Sequence, residues 1–66
     1  MTIAEYINNI LQNQGRSKAW LAEQCDIKYK TFYDKLFANR LSANELLLIS
    51  TILNFDLEKM KEKVEL

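Results

Sequence analysis

Residues able to do covalent or acid–base chemistry are nearly absent from this 66-residue chain, which has no histidine and a single cysteine. Without histidine it lacks the commonest zinc ligand and the commonest general base. Cys25 has no partner for an intrachain disulfide; a redox or nucleophilic role is open to it, but a lone cysteine usually behaves as a small core residue, and it is read as one. No paired carboxylates, nucleophile with a base, or phosphate-cradling loop stands out, so the expectation is a non-enzyme that uses no cofactor and no metal.

What the sequence offers instead is clustered charge. From Arg16 to Arg40 six cations (Arg16, Lys18, Lys28, Lys30, Lys35, Arg40) oppose three anions (Glu23, Asp26, Asp34), a balance of +3. The whole chain is neutral, so the remainder carries −3. Positive charge gathered around one stretch points to a polyanion met on one face.

That stretch must be positioned by helices. With no proline, one glycine, 48% hydrophobic and 27% charged residues, the composition is that of an ordinary globular chain. Its length allows one domain, spanning 1–66, which buries about 60% of its unfolded surface. So small a core leaves capping and helix quality to contribute. No apolar run approaches the roughly 18 residues of a membrane span and no leader precedes the first helix; the expected location is the cytoplasm, with no membrane partner.

Thr2-Ile3-Ala4-Glu5 has the form of a capping box and starts a first helix near 3–13. Ile3, Tyr6, Ile7, Ile10 and Leu11 recur along one face of it, and Gly15 suits the left-handed end. Ser17 caps a second helix, near 17–25, whose inward residues are Leu21, Ala22 and Cys25, with Trp20 covering an edge as a half-buried ring. Asp26 stands where the chain must turn. A third helix near 29–37 buries Phe32 and Leu36 and turns Tyr29, Lys30, Tyr33 and Asp34 outward. Ser42-Ala43-Asn44-Glu45 is a second capping box, opening a helix near 43–53 in which Leu46, Leu47, Leu48, Ile49, Ile52 and Leu53 wrap more than one face. Asn54 ends it, and Asp56 caps a last helix near 57–64 with a narrow Leu57, Met60, Val64 stripe.

The order of elements from Ile10 to about Glu62, some four-fifths of the chain, resembles the helix-turn-helix domain of the phage-repressor-like family (lambda repressor and Cro, XRE-type). Ser17-Lys18-x-x-Leu21-Ala22-Glu23 looks like that family's S-Q-x-x-L-A-E, and Ile27-x-x-x-Thr31-Phe32 like its V-S-x-x-T-I. Ser42-x-x-x-Leu46-Leu47-x-Ile49-x-x-x-Leu53-Asn54-Phe55-Asp56-Leu57 looks like its closing S-x-x-T-L-L-x-L-A-x-x-L-G-V-S-L. Three departures stand out. Asp26 replaces the turn glycine, Lys28 replaces the helix-opening Ser or Thr, and Leu36-Phe37-Ala38-Asn39-Arg40 replaces the frequent Glu-Asn-Gly.

The resemblance implies an all-α, five-helix domain whose helices two and three, about 17–37, form the DNA-binding unit. Helix two would lie across the phosphates and helix three would enter the major groove. On that register Lys28, Tyr29, Lys30, Tyr33 and Asp34 face the bases. Lys30 suits guanine O6 or N7, Tyr29 a base edge or thymine methyl, and Asp34 cytosine N4 or a neighbouring side chain. Ser17, Lys18, Lys35 and Arg40 fall where phosphates are held. Phe37 and Leu48 are apolar positions that the monomer does not need, and with Ile52 they are expected to form a homodimer interface through helix four and the following helix. The implied function is a sequence-specific transcriptional regulator bound to double-stranded DNA, of phage or mobile-element repressor type. A competing expectation is a protein-binding module on the same scaffold, such as an antitoxin or anti-host phage inhibitor.

Overall fold

A computed structural model describes residues 1–64, and among these the chain is five α-helices with no strand. They are α1 (Ile3–Gln14), α2 (Lys18–Gln24), α3 (Tyr29–Phe37), α4 (Ala43–Leu53) and α5 (Leu57–Lys63). Each agrees with its sequence-predicted span to within about one residue; Ser17, Cys25 and Val64 are caps rather than helical residues.

Local chemistry accounts for the boundaries. Both capping boxes form: Thr2 Oγ1 accepts from Glu5 N–H while Glu5 accepts from Thr2 N–H, each at 3.1 Å, and Ser42 and Glu45 repeat the exchange. Lys28 opens α3 with no side-chain cap bond, because an ammonium has no acceptor to offer. Four helices close in the same manner. After α1, α2, α3 and α4 a residue with positive φ, respectively Gly15 (68°), Asp26 (56°), Asn39 (58°) and Asn54 (60°), bends the chain. The next N–H then reaches back to the last turn: Arg16 to the Leu11 carbonyl at 2.9 Å, Ile27 to Ala22 at 3.0 Å, Arg40 to Lys35 at 2.8 Å, Phe55 to Ser50 at 3.0 Å. This double closure satisfies carbonyls that a helix end otherwise leaves bare. Asp26 and Asn39 tolerate the left-handed region better than most residues with a Cβ.

The core is drawn from all five helices. Ile7, Leu21, Phe32 and Ile49 have no exposed surface, and Leu11, Leu36, Leu53 and Met60 are buried around them. Phe32 places the middle of α3 in this core, so truncating it to alanine removes about 3–5 kcal/mol from a domain whose margin is of that order. No polar or charged residue is buried among the described residues. Beside the core Tyr6 meets Phe55 edge to face at 5.5 Å, and Gln14 Nε2 donates to the Leu53 carbonyl at 2.8 Å, tying α1 to the end of α4.

One expectation needs adjusting. Cys25 is half-buried at the C-cap of α2 rather than in the core proper. Burial pushes its thiol above the ordinary cysteine value, and the Glu45 carboxylate adds to the shift. Leu47, grouped by sequence with the residues that wrap α4, is 53% exposed, more than Leu48 at 43%. Residue 47 lies 100° around the helix from residue 48, so the outer surface of α4 is broader than one ridge.

Candidate nucleic-acid interface

The α2 and α3 helices pack against each other across the Cys25–Lys28 connection, and α3 leans on α1. Burial of Phe32 and Leu36 fixes the roll of α3 about its own axis. Tyr29, Lys30, Tyr33, Asp34 and Phe37 are then exposed together. Tyr29, Tyr33 and Phe37 are spaced i, i+4, i+8, so their rings stand above one another along one helical line. Their centroids lie 5.9 Å apart for Tyr29 and Tyr33 and 4.5 Å for Tyr33 and Phe37, and each ring keeps between 43% and 52% of its surface exposed. Eight residues rise about 12 Å along the backbone, and the two ring separations keep the outer centroids within about 10 Å of each other.

Lys18, the first residue of α2, is half-buried, and its Nζ lies 6.0 Å from the Phe37 ring centroid. At that distance the ammonium retains a weak attraction to the ring face while its donors remain available. The α2 N-terminus is thus joined to the far end of the aromatic row. Ser17 Oγ accepts from Trp20 N–H at 3.0 Å, capping α2; its hydroxyl proton is left to donate. Arg16 lies just before, with its guanidinium carbon 4.1 Å from the centre of the Trp20 ring. Trp20 is half-buried, as its spacing predicts, but the stacking of Arg16 on it was not foreseen; the i, i+4 separation of the two residues is the signal that was overlooked.

Of the other site residues, Lys28 and Lys30 are exposed at the start of α3 and Arg40 is exposed just beyond its end. Asp34 is also exposed, one helical position from Tyr33. Lys35 differs from the rest. Its Nζ donates to Glu45 Oε2 at 3.0 Å, so it ties α3 to α4 instead of standing free at the surface. Glu45 is held below the ordinary carboxylate range first by the Ser42 backbone N–H and then by Lys35. A lysine so engaged is a weaker candidate for a phosphate than Lys18 or Arg40.

The three residues expected at a dimer interface are not brought together alike. Leu48 is exposed on α4, Ile52 is half-buried against the core one turn later, and Phe37 belongs to the aromatic row of α3. Beside Leu48 the exposed Leu47 borders an apolar groove of about 270 Å³ between α4 and α5, lined also by Ala43, Leu46, Leu57 and Met60. Among the described residues no three His, Cys, Asp or Glu side chains gather as a metal would require, and no helix is long and apolar enough to cross a membrane. Comparison with protein-family models, with curated proteins and with solved structures gives no match to this chain.

Proposed function

We propose that the chain is a sequence-specific DNA-binding regulator of the phage-repressor-like helix-turn-helix type, acting as a repressor that occupies an operator. One observation carries the reading: the outward face of α3 takes no part in the core and joins Lys28, Lys30 and Asp34 to an ordered row of rings, with Lys18 at its end. An α-helix of this width fits the major groove, whose base edges present a distinct donor and acceptor pattern for each pair. Lys30 is the residue we assign to guanine and Asp34 to cytosine N4. Lys18, Ser17 and Arg40 hold the flanking phosphates.

Few phosphate contacts and no net charge make one copy a weak binder, and a second copy supplies the missing affinity. The dimer we propose uses the α4 surface of Leu47, Leu48 and Ile52, the same patch on both chains, as a two-fold contact requires. It sets the two copies of α3 about one DNA turn, roughly 34 Å, apart on a near-palindromic site.

A protein-binding role on the same scaffold is the second reading. It is favoured by the exposed rings, since Tyr and Phe are enriched at the centres of protein interfaces. Selection of bound molecules from random duplex DNA separates the two. Enrichment of a short, partly palindromic sequence is expected; no enrichment at low salt would remove the DNA reading and leave the protein-binding one.

A further inference from the structure

We infer that the Tyr29–Tyr33–Phe37 row reads the 5-methyl groups of thymines, so that the preferred duplex carries a short run of thymines along the path of α3. The inference rests on α3 being the major-groove helix. Of the groups displayed in that groove, N7, O6, O4 and the amino groups are all hydrogen-bonding; the thymine methyl is the one apolar feature. Phe37 has no donor or acceptor, and it keeps 52% of its surface exposed on this face. Against a hydrogen-bonding edge its ring strips water from polar base atoms and returns nothing. Against a methyl group both surfaces gain by leaving water.

The geometry points the same way. A row whose outer centroids lie within about 10 Å of each other spans about three base pairs at 3.4 Å per step, more than a single methyl contact uses. The rings already lean on one another at 5.9 and 4.5 Å, so little freedom is lost when they meet the groove. A thymine methyl projects from the C5 edge of the base, on the side of the groove nearest its own strand's phosphates. An ammonium beside the last ring, as Lys18 stands beside Phe37, is placed to hold that strand while the ring covers the methyl.

The first arm of the test is made in the DNA, with the wild-type protein throughout. The best duplex from a random selection is remade with deoxyuridine at successive thymidine positions, which deletes the methyl and leaves every hydrogen-bonding group and charge in place. Binding is measured by fluorescence anisotropy. At two or three adjacent positions each deletion is expected to weaken binding about fourfold, the worth of one buried methyl group. In Phe37→Ala the effect at one of those positions should vanish while the salt dependence is unchanged. Tight, salt-dependent binding that is indifferent to every uracil overturns the inference alone. Failure to bind any duplex overturns it together with the reading on which it rests.

Discussion

The Lys35 ammonium meets the Glu45 carboxylate at 3.0 Å and so couples α3, the helix that carries the exposed rings, to the capping box of α4. Glu45 serves both ends of this link, since its other oxygen accepts from the Ser42 N–H at 2.9 Å. Its pKa is lowered first by that backbone bond and then by Lys35, so folding favours the ionised form. The sign follows from linkage: the stabilisation is complete above the ordinary glutamate value of about 4.3 and is lost as pH falls through the lower native value. Glu5, lowered by its own bonds to Thr2, acts in the same direction. Thermal unfolding between pH 7 and pH 3 should therefore show a falling midpoint below about pH 4.3, with a shallower fall in Glu45→Gln. The pair is partly open to water, which limits it to at most about 1 kcal/mol. An acid limb of unchanged steepness in Glu45→Gln would show that the charge on Glu45 contributes nothing, since glutamine keeps the capping-box acceptor.

Asp26 turns the chain between α2 and α3 with φ of 56°. Glycine removes the Cβ strain of that region but loses more backbone freedom, so Asp26→Gly should gain only about 0.5 kcal/mol, or about 2–4 °C in midpoint. Asp26→Val, β-branched in the same conformation, should lose about 1–2 kcal/mol. Chemical denaturation of the pair decides it, and a valine variant as stable as the glycine variant would contradict the turn geometry.

All five helices and both capping boxes were legible in the sequence because each rests on nearby residues: an acceptor three positions before its donor, an apolar stripe, a residue able to turn left. Asp26, Asn39 and Asn54 stand in left-handed positions that a glycine more often fills, and the closing hydrogen bonds form around them all the same. The outward face of α3 was legible from Phe32 and Leu36 alone. What periodicity did not resolve was contact between elements. That Lys35 pairs with Glu45, and that Phe37 lies between Tyr33 and Lys18, depends on how α3 crosses α2 and α4. The roll of α4 was left open for a related reason: a helix with leucines at three successive positions gives no clear inward direction until its neighbours are present.

Cys25 carries a thiol pushed above its ordinary value by burial and by Glu45, and both influences disappear on unfolding. A depleted thiolate reacts slowly. Labelling by an aromatic disulfide reagent at pH 7.5 should be slower in native buffer than in concentrated urea. Equal rates would place the thiol in open solvent.

Sedimentation equilibrium tests the proposed two-fold contact. Wild type should associate to a dimer at micromolar concentration, and Leu48→Glu should remain monomeric with its helical content unchanged, because Leu48 is outside the core. A wild type that stays monomeric at high micromolar concentration, or a Leu48→Glu protein that dimerises unchanged, would remove the α4 surface as an interface.

On the proposed reading α2 anchors a duplex through phosphates while α3 reads it. The most direct measurement is affinity for the selected duplex against salt concentration, in wild type, Lys18→Ala and Lys30→Ala. Wild-type binding should fall steeply as salt rises, and Lys18→Ala should lower the log–log slope by about 0.9, one phosphate contact, equally for selected and scrambled duplexes. Lys30→Ala should cost about 1–3 kcal/mol at one base pair and little on the scrambled duplex. Binding that does not depend on salt, or equal losses from both substitutions on every duplex, would contradict the account.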